Sequence, residues 1–286
     1  DFTINSIYSD RDGNLFDPFN GKKDLENGLI IFIGDADKRI KEDYLRILRY
    51  LRFFLNYSTR PHNLEIIKSL KINIGGISKL SKERLLDELK KMMKIKLLEK
   101  LAKDKLSLDL IQMIFPELTN IELFSKLSSH DKELLEKQDF IFFLSLMIID
   151  NTDNTDYFLY KYNISKKDQK RIKIIDNFYK EKISSKTFTE NNMNKVFYYF
   201  GKDAVIDILN HRIIKSKKID NSLIELCKNY KDKEPLKMPV SADYLIKRYK
   251  ISEGRGLGEK LKFIEEEWVK NNFKINDHQI DKIVKN

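Results

Sequence analysis

Between Asp37 and Phe54 the apolar residues Ile40, Tyr44, Ile47, Leu48, Leu51 and Phe54 return at intervals of three and four, the repeat of an α-helix with one face on a core. Asp35, Asp37, Glu42 and Asp43 crowd the start of this stretch, and Arg46, Arg49 and Arg52 lie further along, which suits the helix dipole. The spacing predicts one amphipathic helix over 37–54. Asp43 and Arg46, three residues apart, are then expected to project from the same face. A carboxylate accepts from an exocyclic amine while a neighbouring guanidinium donates to the adjacent ring acceptor. Cytosine and adenine present that pattern, and uracil and guanine place a carbonyl where the amine would be. The alternative is an exposed ion pair worth a few tenths of a kcal/mol.

The segments ahead of this stretch favour the base-reading alternative over the ion pair. The chain opens Asp1-Phe-Thr-Ile-Asn5-Ser-Ile and continues Asp17-Pro-Phe-Asn-Gly21-Lys-Lys-Asp24-Leu25 before Glu42-Asp43-Tyr44-Leu45-Arg46. This ordered set resembles the class II tRNA nucleotidyltransferase and bacterial poly(A) polymerase family. The first segment is similar to the end of its Arg-Arg-Asp-Phe-Thr-Ile-Asn-Ala block, with Ser6 in place of Ala; the second is similar to Asp-Pro-x-x-Gly-x-x-Asp-Leu, and the third to the base-reading block Glu-Asp-x-x-Arg. The resemblance implies that Asp43 and Arg46 read the base and that Asp1 and Asn5 contact the ribose. The residues themselves leave Asn5 equally well placed to cap a turn.

The family's upstream Gly-Gly-x-Val-Arg-Asp turn and its Asp-x-Asp pair, which holds magnesium, are not found in this sequence. The sequence begins without Met and inside a motif, so the expectation is a chain whose upstream head part has been removed, with Mg2+ bound by that part. Nucleotidyl transfer needs carboxylates to fix such metals, so the chain alone is expected to be inactive, with no catalytic residue and no metal ligand assigned. Asp10, Asp12 and Asp17 imitate a metal set but read as a polar hairpin turn.

Composition bounds the rest. A chain of 286 residues with 41% hydrophobic and 34% charged residues, 10 Gly and 5 Pro suggests a mostly helical protein. Its formal net charge of +10 favours a polyanion partner, although lysine-rich codon usage has the same effect. One cysteine, Cys227, excludes internal disulfides and fits a cytoplasmic location. The longest apolar run, 140–149, is too short for a bilayer and reads as a buried helix, so no membrane partner is expected.

Short strands are expected at Phe2 to Tyr8, near Leu15 to Asp17 and at Leu29 to Ile33. Ser81 caps a helix through Met93 that resembles the family segment bracing the base reader, with Glu83, Arg84 and Glu88 as supports. Phe142, Phe143, Phe178, Phe197, Tyr198 and Phe200 read as core rather than as a base-stacking platform. Lys166, Lys167, Lys215, Lys217 and Lys218 are candidates to track a phosphate backbone, with a solvated surface as the alternative. Gly254, Gly256 and Gly258 are expected to form a turn that leaves backbone amides open to phosphate, with a plain helix-joining turn as the alternative, and the resemblance places a similar turn against tRNA.

The expected fold is mostly α: residual strands of an α/β head (1–36), neck helices carrying the base reader (37–105), a helical body (106–232) and a helical tail (233–286) that binds tRNA. The function implied by the resemblance is CCA addition to tRNA 3′ ends from CTP and ATP, this chain supplying base selection and tRNA binding. A poly(A) polymerase, an A-only or CC-only relative, and an inactive RNA-binding fragment remain as alternatives. Oligomeric state is not legible.

Overall fold

The computed structural model describes residues 1–181, 187–216 and 220–285. Helices dominate it, and among the described residues the strands are confined to one two-stranded hairpin, β1 (Tyr8–Ser9) and β2 (Leu15–Phe16), paired antiparallel. The chain divides into two compact units, residues 1–181 with 211–217, and residues 182–210 with 218–286.

The first 36 residues are less strand-like than their sequence suggests. The expected strand from Phe2 to Tyr8 is interrupted by a 3-10 turn at Thr3–Asn5, and of Leu29 to Ile33 only Phe32 pairs, in an isolated bridge to Phe2. A short helix replaces regular pairing: α1 (Gly21–Glu26). The block from Asp17 to Leu25 builds it. Both Asp17 oxygens accept from the first helical amides, Gly21 and Lys22, at 2.8 Å. Asp24 accepts from the Thr3 hydroxyl at 2.7 Å. A Cβ at Gly21 would overlap the Thr3 carbonyl, so this position needs glycine for close backbone approach rather than for an unusual dihedral. Asp10 closes the hairpin as expected, accepting from the amides of Asp12 and Asn14 and from the Asn14 side chain.

The expected helix over 37–54 is two helices. After α2 (Ala36–Glu42), capped by Asp35 on the Lys38 amide at 2.8 Å, the backbone turns extended at Asp43 (φ −153°, ψ 106°) before α3 (Arg46–Tyr57). Asp43 Oδ1 accepts from the Leu45 amide at 3.1 Å, and its carbonyl accepts from Arg46 N–H at 3.0 Å. An aspartate here bonds its own backbone two residues on and competes with helix continuation. Tyr44, inside the break, lies over Gly76, where a Cβ would overlap its ring.

The apolar stripe of α3 carries the core of this part. Ile47, Leu48, Leu51 and Tyr50 are buried, and Phe2 from the head packs fully buried against Phe32, Phe53 and Tyr50, with ring centroids 4.6, 5.3 and 6.3 Å away. Next come α4 (Leu64–Asn73), α5 (Lys82–Met92), α6 (Ile95–Lys103) and α7 (Lys105–Ile114). Ser81 caps α5 as its sequence predicts, accepting from the Arg84 amide at 3.4 Å. Glu88 on α5 is 2% exposed and binds Arg52 of α3 and Lys91, each at 2.7 Å. Burial pushes the Glu88 carboxyl up, but the hydrogen bonds and charges of Lys91 and Arg52 outweigh it and hold the group below its usual range.

The remaining helices of the first unit are α8 (Ser129–Leu135), α9 (Phe140–Ile148), α10 (Asn154–Lys161) and α11 (Lys166–Lys180). The apolar run forms α9, with Phe142 and Phe143 in the core as expected. The second unit holds α12 (Glu190–Phe200), most of α13 (Lys202–Lys215), α14 (Asn221–Lys231), α15 (Ala242–Tyr249), α16 (Arg255–Lys270) and α17 (Asp277–Lys285). Val240, Leu245, Leu257, Ile264 and Ile280 form a core around the last three. Phe197 of α12 is buried, its ring 5.6 Å from that of Tyr230 on α14, whereas Phe200 is exposed.

Lys215, at the end of α13, is not a solvent-face lysine. Its Nζ donates to the Ile149 carbonyl at 2.5 Å, and burial pushes its pKa down to about 8. Lys217 and Lys218 lie outside the described residues.

Candidate nucleotide-reading site

The break at Asp43 shapes the candidate site. Asp43 and Arg46 are neighbours across a turn rather than on a shared helix face, and each is held by its own partners. Asp43 Oδ2 accepts from Nη2 of Arg84 on α5 at 2.8 Å. Arg46 donates from Nε to Asp1 Oδ1 at 2.9 Å, and from Nη1 to the Arg39 carbonyl at 2.5 Å and to Glu42 Oε2 at 2.6 Å. Among the described residues no hydrogen bond uses its Nη2. A guanidinium has five N–H donors in fixed directions, so two remain on one edge.

Asp1 is brought from the far end of the head to this point. Its second oxygen pairs with Arg49, one helical turn beyond Arg46. The Asp1 carbonyl accepts from the Ile33 amide at 3.2 Å, and the buried Phe2 ring anchors the next residue. The Arg46 hydrogen bond, reinforced by the charges of Arg39 and Arg46, holds Glu42 below the usual carboxylate range against a smaller desolvation effect. Asn5 stands exposed in the 3-10 turn. The sequence pointed to Glu42 and Arg49 only as charges suited to the helix dipole, not as partners of Arg46 and Asp1, and gave no signal for Arg39.

The carboxylates near the head do not fit a magnesium ion. Asp10 spends its oxygens on the hairpin turn and Asp17 on the α1 amides. Among the described residues no three His, Cys, Asp or Glu side chains are grouped to hold a metal, and octahedral Mg2+ needs such oxygen donors free.

The three tail glycines lie in the second unit, and their arrangement differs from the expected turn. Gly254 precedes α16 at φ 151°, while Gly256 and Gly258 sit inside its first turns. A Cβ at any of the three would meet nothing within 4 Å among the described residues.

The Poly A polymerase head domain family matches residues 1–31. Across the whole chain, CCA tRNA nucleotidyltransferase 1, mitochondrial, of Mus musculus is 30% identical over 308 residues, spanning 100% of this chain and 65% of the mouse protein. The chain belongs to the CCA-adding tRNA nucleotidyltransferase family. A second family member, the CCA-adding enzyme of Staphylococcus haemolyticus, is 30% identical over 73% of this chain and 49% of its own length. The fold is shared too. The Bacillus stearothermophilus CCA-adding enzyme, solved in complex with CTP, superposes with a TM-score of 0.64 at 18% identity, over 95% of this chain and 68% of its own. The chain thus spans less than two thirds of the length of these two curated family members. No helix among the described residues is long and apolar enough to cross a membrane.

Proposed function

We propose that this chain reads the base of an incoming CTP or ATP and grips tRNA in a nucleotidyltransferase that adds C and A to tRNA 3′ ends. One observation carries the proposal. The Arg46 guanidinium is held on two nitrogens with its Nη2 edge unbonded among the described residues, across a turn from a carboxylate itself held by Arg84. Each Asp43 oxygen has one protein donor and a second lone pair to spare. Asp43 would accept from the exocyclic amine of cytosine or adenine while Arg46 donates to the ring acceptor beside it. Uracil or guanine would set a carbonyl against the Asp43 carboxylate and leave both unpaired.

Asn5 and Asp1 are assigned to the ribose by the family resemblance. Gly254, Gly256 and Gly258 are assigned to the tRNA backbone. Two glycines inside a helix cost about 1 kcal/mol each relative to alanine, and no packing within the described residues requires them, which supports close approach by an outside group. The magnesium carboxylates are assigned to polypeptide beyond these residues, and the setting to a reducing cytoplasm.

Incorporation of labelled CTP and ATP into a tRNA lacking its 3′ terminus tests this, with the chain alone and with its upstream polypeptide joined. C and A added only by the joined form support the proposal. Activity of the chain alone overturns the metal assignment, and silence in both forms leaves an RNA-binding remnant. Product length separates CCA addition from A-only, CC-only or poly(A) synthesis.

A further inference from the structure

We propose that Asp1 is a positioning residue for base choice, holding Arg46 so that only its Nη2 edge faces the nucleotide; this rests on the base-reading role proposed for Asp43 and Arg46. The Asp1 side chain is 16% exposed and lies between two guanidiniums, Arg46 on Oδ1 and Arg49 on Oδ2. Its backbone is fixed as well, by the Ile33 hydrogen bond and by Phe2, which is fully buried. The carboxylate is therefore presented to Arg46 from a rigid support.

The geometry of the fork gives the support its purpose. The bonds to the Arg39 carbonyl and to Glu42 both leave from Nη1, and Glu42 is itself half exposed. Anchors on a single nitrogen let the guanidinium plane turn about it. The Asp1 bond at Nε is the second point that fixes the plane, and with it the direction of both Nη2 hydrogens. Against cytosine those hydrogens meet a ring acceptor, and against uracil they meet the N3–H donor. A guanidinium free to turn would relieve that conflict and admit uracil. In this arrangement a head residue assigned to the sugar also governs the base.

The test uses the complete polypeptide that carries this sequence and a tRNA lacking its 3′ terminus. Single-nucleotide incorporation is compared for CTP against UTP and for CTP against dCTP. Asp1→Ala is expected to lower the CTP-over-UTP preference at least tenfold while the CTP-over-dCTP preference changes less. Asp1→Glu keeps a negative charge between the two arginines, and with it the fold, and is expected to recover part of the base preference. Base preference unchanged in both variants overturns the proposal, as does a loss confined to the CTP-over-dCTP ratio. Asp43→Ala runs alongside: if it too keeps the base preference, the base-reading role itself fails, whereas preference lost in Asp43→Ala and kept in both Asp1 variants sinks the positioning role alone.

Discussion

Arg84 reaches from α5 to donate to Asp43 Oδ2 at 2.8 Å, across a sequence separation of 41 residues. Both side chains are partly exposed, at 47% and 32%, so the pair contributes well under about 1 kcal/mol to stability. Its effect lies in aiming Asp43, whose other oxygen is tied to the Leu45 amide. Arg84→Ala is therefore expected to leave thermal unfolding almost unchanged while weakening CTP-over-UTP discrimination about tenfold, read in single-nucleotide incorporation. Asp43→Ala is expected to lose both nucleotide choice and rate with tRNA affinity kept. Normal C and A incorporation by that variant would remove the base-reading assignment.

Glu88 behaves differently because it is buried. Removing its carboxylate leaves Arg52, only 16% exposed, without its partner, and such a break costs about 3 kcal/mol. Glu88→Ala is expected to lower the urea midpoint strongly, with the chain's m-value unchanged. A midpoint within error of the parent chain would show that Arg52 finds water or another acceptor.

Gly76→Ala tests the turn that separates α2 from α3. The added methyl would overlap the Tyr44 ring, and overpacking of this kind costs about 1–3 kcal/mol. Loss of stability together with a changed C-and-A preference is the expected result, measured by unfolding and by incorporation. Lowered stability with base preference intact would show that Tyr44 moves without carrying Asp43.

Gly256→Ala and Gly258→Ala are expected to act in opposite senses on stability and binding. Alanine gains up to about 1 kcal/mol of helix propensity at each position, and its Cβ meets nothing within the described chain. The melting temperature should rise while tRNA binding weakens, as read by filter binding at fixed salt. A rise in melting temperature with unchanged affinity would dismiss the backbone contact.

Acid should destabilise the first unit through two buried histidines. Burial pushes His211 down to about 3, helped by the Lys215 charge and opposed by its bond to the Ser145 carbonyl. Burial also lowers His62, against the hydrogen bond and charge of Asp104; its other nitrogen lies 3.1 Å from the Tyr50 hydroxyl. A folded pKa below the unfolded value near 6.5 means that the unfolded chain takes up the proton first. The contribution is full above that value and falls as pH drops below it. For His211 the loss between pH 7.5 and 5.5 is about 1.4 kcal/mol, and His211→Leu should remove that part of the slope in urea unfolding at the two pH values.

The spacing of Ile47, Leu48, Leu51 and Phe54, the cap at Ser81 and the apolar run of α9 were legible in the chain, because periodicity and capping depend on residues within one or two turns. So were the family blocks and the turn at Asp10. The break at Asp43 was not. Its propensity competes with a long helical pattern on both sides, and the balance is tipped by the local carboxylate bonds, with Gly76 and Arg84 meeting Tyr44 and Asp43 from distant segments. Lys215 looked like a surface charge because a sequence does not show what covers a residue. The joining of Asp1 to Arg46, 45 residues apart, likewise depends on Phe2 burying itself beside α3. Local chemistry marked Asp43 and Arg46 as candidates to read a base; only the tertiary packing decided which nitrogen of Arg46 carries no hydrogen bond among the described residues, since that depends on where separate segments place their carboxylates.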